Sequence, residues 1–214
     1  MKSILIVGLG KLGTYMARKF ADLGNQVLVL DKNEEKINEI LPEVTVAQIG
    51  DATKPSVLES IGVDNFDLCV VSIIDNFQSS LQATSLLKEA GAKYVLSCAS
   101  TEIQEKFLLR NGADEVVFAE KSVAERIAVM FSANNIFDYV QLTPDYSIYE
   151  IPTPKSWAGK TIREKDVRSK YSINILAVKR DGEITPLPSA DHLFDTEERL
   201  IVMCRKSDIN KFID

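Results

Sequence analysis

Apolar and polar positions along residues 1–118 follow a pattern that predicts a parallel sheet. Short apolar runs alternate with longer segments in which apolar residues recur every three or four positions, as in strands alternating with amphipathic helices. The predicted strands are Ser3–Val7, Gln26–Leu30, Val44–Ile49, Asp67–Val71, Lys93–Ser97 and Glu115–Phe118. Because parallel connections are right-handed, this alternation predicts an α/β fold with a Rossmann-like, doubly wound sheet of order 3-2-1-4-5-6.

The helices between these strands are predicted from their apolar stripes and end signals. The first covers Lys11–Leu23 and ends at Gly24. Thr53 is placed to cap the third helix, with Pro55 in its first turn. The stripe that the first helix turns toward the core is predicted to consist of Leu12, Met16, Phe20 and Leu23.

The pattern changes after Phe118. Glu120–Ser132 reads as an amphipathic helix, and a second short apolar helix is predicted over Asn135–Leu142. Two apolar helices that leave a completed sheet indicate a crossover or a subunit interface. The alternative, which the sequence leaves open, is that both helices pack back on their own sheet.

A smaller α+β unit is predicted from residue 145 onward. An Asp181–Gly182 pair between apolar runs is typical of a hairpin turn. The domains are therefore predicted as 1–118 (a nucleotide-binding lobe), 119–144 (crossover helices and dimer interface) and 145–214 (a small C-terminal lobe). The elements predicted in the last segment are strands Ser147–Ile151, Ile173–Lys179 and Arg199–Cys204 and helices Lys160–Arg168 and Ser207–Ile213.

Composition excludes several classes of function. The net charge of −6 argues against a nucleic-acid partner, because such proteins carry a basic face. The three cysteines lack metal-site spacing and read as reduced thiols. No apolar stretch approaches the ~20 residues of a membrane span. We expect a cytoplasmic protein that is peripheral to a membrane only through a partner.

A glycine motif at the end of the first strand carries the candidate chemistry. Gly8, Gly10 and Gly13 form a GxGxxG pattern between a strand and a helix, and Asp31 ends the second strand. In this context the first glycine permits a tight turn, the second lets a phosphate approach the backbone, and the third lets the helix lie close to the sheet. The helix amino end favours an anion, and Asp31 is placed to bind ribose hydroxyls. A tight turn that binds nothing is the structural alternative.

Further segments make the resemblance to one family specific. Gly50-Asp-Ala-Thr53 follows the third strand, and Gly112-Ala-Asp114 leads into Glu120-Lys121 and then the β-rich tail. With the glycine motif, these segments resemble the RCK (also called KTN) family over essentially the whole chain. Members of this family are cytosolic regulatory subunits of bacterial potassium uptake systems of the KtrA and TrkA type.

The resemblance implies an assembly, a partner and a nucleotide. The N-terminal lobe would bind ATP or ADP, or in some relatives NAD(H), within a homo-oligomer that ranges from a dimer to an octameric ring. The ring would act on an integral-membrane potassium-translocating subunit of the KtrB or TrkH type. By position, the residues facing the nucleotide would be Gly8, Gly10, Lys11, Leu12 and Gly13 at the phosphates, Asp31 and Lys32 at the ribose, Asp51, Ala52 and Thr53 at the adenine, and Ile73, Cys98 and Glu120 around them.

Two finer expectations also come from the resemblance. Glu120 matches an acidic residue that helps to hold a divalent or monovalent cation between nucleotides of neighbouring subunits. The tail resembles a lobe whose dimer cleft binds cyclic di-AMP in KtrA-like members. The matching residues here are Ile162, Asp166, Arg168, Asn174, Ile175 and Pro188. The alternative for this set is a solvated arginine and two core isoleucines.

Cys98 departs from the family pattern, since relatives usually carry Arg or Lys there to reach a phosphate. This departure leaves the preference among ATP, ADP and NAD open. The rival class is an NAD-dependent oxidoreductase with a small second domain. Its chemistry needs an acid, a base or a metal beside the nicotinamide. The single histidine, His192, is predicted to lie in a loop away from the crevice, and we therefore expect no enzyme activity.

Overall fold

The computed structural model describes residues 1–132 and 136–209. The chain divides into two compact units, Met1–Lys121 and Ser122–Asp214. The functional segments 1–118, 119–144 and 145–214 stay a prediction, because this division does not test their roles. No helix within the described residues combines the length and the apolar character that a membrane crossing requires.

The first unit is built around a six-stranded parallel sheet of order β3-β2-β1-β4-β5-β6. The predicted Rossmann-like topology is therefore confirmed. Its strands are β1 (Ser3–Val7), β2 (Gln26–Asp31), β3 (Val46–Ile49), β4 (Leu68–Val71), β5 (Val95–Cys98) and β6 (Glu115–Val117). Its helices are α1 (Lys11–Asp22), α2 (Glu34–Ile40), α3 (Pro55–Ile61), α4 (Phe77–Glu89), α5 (Glu102–Arg110) and the start of α6 (Ala119–Ser132).

The central strand β1 is buried on both faces of the sheet. Leu5 and Val7 belong to one buried cluster, and Ile4 and Ile6 belong to another on the opposite side. All four side chains are at most 1% exposed. A continuous apolar run is what a strand buried on both faces requires. The glycine turn that follows Val7 is consequently anchored to the most buried strand of the unit.

Two details of the helices differ from the prediction. Leu23 is 65% exposed, because α1 ends at Asp22 and Gly24 (φ +79°) then turns the chain back toward β2. Thr53 does not cap α3. Its hydroxyl instead donates to the Asp51 carboxylate (2.7 Å), and Lys54 occupies the N-cap position without a side-chain hydrogen bond.

The second unit contains a five-stranded antiparallel sheet of order β10-β9-β11-β8-β7. A buried cluster that includes Trp157, Phe194 and Leu200 forms its core. Its strands are β7 (Asp138–Gln141), β8 (Tyr146–Pro152), β9 (Asn174–Arg180), β10 (Glu183–Pro186) and β11 (Arg199–Arg205). Its short helices are α7 (Ile162–Lys165), α8 (Val167–Tyr171) and α9 (Lys206–Ile209).

The helix predicted over Asn135–Leu142 is wrong. Residues Asp138–Gln141 form the edge strand β7, in which Tyr139 lies opposite Tyr149 of β8 with ring centroids 5.3 Å apart. Tyr139 is buried and Val140 is exposed, which is the alternation of a strand. Cross-strand pairing thus overrides the apolar character that suggested a helix. Asn135 lies outside the described residues.

The helix predicted over Lys160–Arg168 is divided. Asp166 adopts a left-handed conformation (φ +46°), which ends α7 before α8 begins. The hairpin prediction is confirmed, since Arg180 pairs with Glu183 and both Asp181 and Gly182 have positive φ. The predicted terminal helix begins at Lys206, and its part beyond Ile209 lies outside the described residues.

Candidate functional site

The candidate site lies where the strand order of the parallel sheet reverses. The glycine turn follows β1, and Ser72 and Ile73 follow the neighbouring strand β4. The backbone N–H of Ser72 donates to the carbonyl of Val7 (2.8 Å), so the two strand ends stay side by side. Open α/β sheets bind ligands in the crevice beyond the carboxyl ends of such strands.

Packing requires two of the three glycines. Gly8 has a φ of +95°, and a Cβ there would lie 3.0 Å from Cγ1 of Ile73. A Cβ at Gly13 would lie 2.1 Å from the carbonyl oxygen of Gly8. Any side chain at Gly13 would therefore push α1 away from the turn that precedes it.

Gly10 is different, because the fold itself does not demand it. Its φ is −71°, and a Cβ there would meet only the carbonyl oxygen of Ser72, at 3.7 Å. The missing side chain instead leaves open space beside the amino end of α1. In the described structure this helix has neither a side-chain cap nor an acidic residue in its first turn, whereas Asn33, Asn76 and Thr101 cap α2, α4 and α5. The amino end of α1 is thus available to an anion.

Asp31 connects the second strand to the glycine turn. Its Oδ2 accepts a hydrogen bond from the backbone N–H of Leu9 (2.6 Å), and its Oδ1 accepts one from the N–H of Asn33 (2.8 Å). The backbone N–H of Gly50 donates to the carbonyl of Asp31 (3.0 Å). The carboxylate therefore holds the turn in place and has lone pairs left for further donors.

The Gly-Asp-Ala-Thr segment forms the next part of the rim. Asp51 accepts hydrogen bonds from the backbone N–H of Thr53 (3.0 Å) and from its hydroxyl (2.7 Å), and these two bonds lower the pKa of the Asp51 carboxyl. Ala52 is 4% exposed and belongs to the core. Leu12 is half-buried, whereas Lys11 and Lys32 are exposed.

Cys98 lies at the end of β5 with its thiol neutral. Burial raises its pKa to about 11, the hydroxyl of Ser72 acts in the opposite direction, and the negative charge of Glu120 raises it further. The residue is 2% exposed. Glu120 is exposed in the first turn of α6, which begins at Ala119, directly beyond the carboxyl end of β6 at Val117. Within residues 1–132 and 136–209, no group of three or more His, Cys, Asp or Glu residues is arranged to hold a metal ion.

Ser72 is a site residue that the sequence reasoning missed. It is 2% exposed, and its Oγ lies 3.1 Å from the position of a Cβ at Gly13. Apart from its interaction with the thiol of Cys98, this hydroxyl has no hydrogen-bond partner within the described part of the chain. Its place directly after β4, at the reversal of strand order, is the signal that would have identified it.

Two family models match the chain. The model described as the TrkA-N domain matches residues 4–119, and the model described as the TrkA-C domain matches residues 146–214. The chain belongs to the RCK family of TrkA-N and TrkA-C domain proteins. The resemblance found in the sequence is therefore confirmed.

The relatives of this RCK protein include two potassium uptake proteins. Ktr system potassium uptake protein C of Bacillus subtilis (strain 168) is 37% identical over 99% of this chain and 96% of its own length. Ktr system potassium uptake protein A of the same organism is 34% identical over 99% of this chain and 95% of its own length. Among solved structures, the GsuK channel matches with a TM-score of 0.71 and 18% identity over 99% of this chain but only 39% of that channel chain. This last match shows the fold alone.

The candidate residues of the TrkA-C domain form two local groups. Asp166 donates its backbone N–H to the carbonyl of Ile162 (3.1 Å), and exposed Arg168 follows in α8. Asn174 and Ile175 begin β9, and the bond from the N–H of Leu187 to the carbonyl of Leu176 (2.9 Å) brings the neighbouring Pro188 to the same strand. Ile162 and Ile175 are half-buried and pack against the core, so both contribute to stability whatever else they do.

Proposed function

We propose that this RCK protein is a nucleotide-binding regulatory subunit of a potassium uptake system. An adenine nucleotide, ATP or ADP, would bind on the glycine turn and bias the conformation of a homo-oligomer, from a dimer to an octameric ring. The ring would act on an integral-membrane potassium-translocating subunit. The observation that carries the proposal is Gly10, whose missing side chain serves no need of the fold and opens the amino end of α1.

The geometry supports different roles in nucleotide binding for the residues of the site. The N–H groups at the start of α1 would receive phosphate oxygens, and the exposed ammonium groups of Lys11 and Lys32 would add positive charge. The spare lone pairs of Asp31 would accept the ribose hydroxyls. A carboxylate here also disfavours a 2′-phosphate, which argues against NADP.

A nucleotide can regulate the oligomer only if it binds two conformations of the protein with different affinities. A nucleotide shifts a conformational equilibrium only as far as it binds one state more tightly than the other. ATP and ADP differ by one phosphate, so the discriminating contacts belong at the glycine turn or on a neighbouring subunit. With several sites in one ring, about 1 kcal/mol of preference at each site shifts the population strongly.

The arrangement favours a regulator over an oxidoreductase. The thiol of Cys98 is buried with a pKa of about 11, so it supplies almost no thiolate at neutral pH. His192 lies in the second unit and shares a hydrogen bond with Glu198 (2.9 Å). In the described part of the first unit we find no nucleophile paired with a base beside the glycine turn. NAD(H) binding without turnover remains compatible with a regulatory role.

Calorimetric titration of the full chain with ATP, ADP and NADH tests this proposal. We expect adenine nucleotides to bind the wild type and to bind Gly10→Asp at least ~10-fold more weakly, because the new carboxylate fills the space beside α1 and repels phosphates. Asn38→Asp adds the same charge at an exposed position of α2 and should bind like the wild type. Nucleotide binding by Gly10→Asp at wild-type affinity would contradict the proposed site.

We further propose that the TrkA-C domain binds cyclic di-AMP across a dimer cleft. Support comes from Arg168, an exposed guanidinium suited to a phosphate, on the helix that follows Ile162 and Asp166. Arg168→Ala should bind cyclic di-AMP at least ~10-fold more weakly than the wild type. Lys170→Ala removes an equal charge from the same helix and should not. Equal affinities of wild type and Arg168→Ala would favour the solvated-arginine alternative.

We also propose that the carboxylate of Glu120 helps to bind a cation. The carboxylate is exposed, and the further ligands would come from the nucleotide or from a neighbouring subunit. Stabilisation of the nucleotide-bound oligomer by a divalent or monovalent cation should then disappear in Glu120→Gln. Glu125→Gln, on the same helix, is the matched control, and an equal response of both variants would remove Glu120 from the site.

A further inference from the structure

A cavity of about 460 Å³ lies in the second unit and is lined by none of the six residues considered for cyclic di-AMP. The hairpin of β9 and β10 forms one side, and the segment that leads into β11 forms the other. Small-molecule sites commonly have volumes of this order. The lining residues are Val178, Arg180, Asp181, Glu183 and Thr185 from the hairpin and His192 and Glu198 from the segment.

The cavity is preformed, because backbone hydrogen bonds hold the segment that carries His192. The N–H of Ile162 donates to the carbonyl of His192 (3.1 Å), and the N–H of Arg163 donates to the carbonyl of Ala190 (2.8 Å). The carbonyl of Glu198 accepts from both the N–H (3.1 Å) and the hydroxyl (2.9 Å) of Thr153. A rigid site loses little conformational entropy when a ligand binds.

The charges of the cavity are not balanced. Arg180 is the only lysine or arginine among the lining residues that the structure describes, and it forms ion pairs with Asp195 (3.1 Å) and Asp181 (3.9 Å). Glu183 lies opposite Arg180 in the hairpin, but among the described residues its carboxylate forms no ion pair. The lining therefore carries more carboxylates than cations, and an occupant with positive charge would complete it.

The carboxylate of Glu198 gives the strongest argument for a positively charged ligand in the cavity. The residue is 9% exposed, and its Oε2 lies 2.9 Å from Nε2 of His192. In the described structure this imidazole is the sole hydrogen-bond partner of the carboxylate, and Oε1 accepts no hydrogen bond from a protein donor. A carboxylate that is nine-tenths buried is normally held by several donors, so a further donor from a ligand would stabilise it.

We propose that the cavity binds a small organic polycation with primary or secondary ammonium groups. One ammonium would pair with Glu198 and another with Glu183, while Val178 (3% exposed) offers an apolar wall to the connecting methylene groups. An inorganic metal ion fits less well, since no described group of three or more potential ligands is arranged around one point. The cavity is also far larger than a single ion.

Titration of the full chain with spermidine tests the proposal. We expect saturable binding with one site per chain, at least ~10-fold weaker in Glu183→Gln and in Glu198→Gln. Glu197→Gln removes the same charge from an exposed neighbour outside the cavity and should bind like the wild type. If Glu198→Gln fails to fold, Glu183→Gln decides the question, since this exposed side chain has no packing role.

Three results would overturn the proposal. Absence of saturable binding would exclude the ligand class. An equal loss in Glu197→Gln would mean diffuse attraction to an acidic protein. Displacement of spermidine by Mg²⁺ at an equal concentration would indicate a site for inorganic cations. The test needs no nucleotide, so its outcome is independent of the function proposed for the first unit.

Discussion

The carboxylate of Asp31 accepts a hydrogen bond from the backbone N–H of Leu9, with 2.6 Å between oxygen and nitrogen. The two residues belong to the ends of adjacent strands, and Leu9 lies between the first two glycines of the turn. An acidic residue expected to contact a ligand thus also shapes the backbone that would surround that ligand.

Replacing Asp31 by Ala should destabilise the first unit even without ligand. The N–H groups of Leu9 and Asn33 lose a charged acceptor, which costs about 1–3 kcal/mol. Urea denaturation of the nucleotide-free protein measures this change. Asp22→Ala, at the exposed end of α1, is the control and should unfold like the wild type. Identical midpoints for Asp31→Ala and wild type would show that the bond adds no stability.

Alanine substitutions at Gly10 and Gly13 should separate binding from folding. At Gly13 the Cβ would lie 2.1 Å from a carbonyl oxygen, so we expect a loss of more than about 2 kcal/mol in the free energy of unfolding. At Gly10 the Cβ fits, and the loss should stay below about 1 kcal/mol, while nucleotide affinity falls. Denaturation and calorimetry on both variants measure the two effects. A Gly10→Ala protein that is as unstable as Gly13→Ala would contradict the packing argument.

Stability of the first unit should fall at alkaline pH in part through Cys98. Burial raises the pKa of this thiol from its ordinary 9.0 to about 11, so the thiol stays neutral in the folded protein while it ionises in the unfolded chain. The stabilisation is fully present below pH 9 and is lost as pH rises from 9 toward 11, at up to about 1.4 kcal/mol per pH unit.

Comparison with Cys98→Ala checks this prediction. Unfolding free energies measured from pH 7 to pH 10.5 should show a smaller alkaline decline in the variant than in the wild type. Asn38→Ala, which removes a non-ionisable side chain at an exposed position of α2, is the control and should decline like the wild type. Parallel curves for wild type and Cys98→Ala would mean that the folded thiol ionises normally.

The exposed face of α6 should mediate association of the chain with a second copy. Val123, Ile127 and Phe131 are 56%, 51% and 82% exposed and recur every fourth residue. Ile127→Glu should lower the oligomer mass in sedimentation while changing the melting transition of the dissociated chain little, because the side chain is already in solvent. Glu125→Gln is the control, and an unchanged mass for Ile127→Glu would place the interface elsewhere.

The sheet of the first unit was predictable because its signals are local. Apolar runs of strand length end at glycine or a polar residue, and right-handed connection then leaves few topologies. β7 was not predictable in the same way. Its four residues contain two apolar side chains, and only the pairing of Tyr139 with Tyr149 on another strand decides that they are extended.

In the candidate site, too, only the features that are local in sequence could be predicted. The three glycines could be recognised because they lie close together in the sequence and form a single local turn. The role of Ser72 depends on β4 lying beside β1, a contact between residues more than sixty positions apart. The bond from Leu9 to Asp31 uses a backbone N–H, which leaves no trace in residue identity.

The insertion of β4 beside β1 also fixes an order of events during synthesis. A growing chain that has left the ribosome only as far as β3 contains the glycine turn and Asp31 but lacks Ser72 and Ile73, which form its opposite wall. A cellular nucleotide thus has no complete crevice to enter until β4 has emerged and docked. Ligand-assisted folding of the nascent protein can begin only from that point.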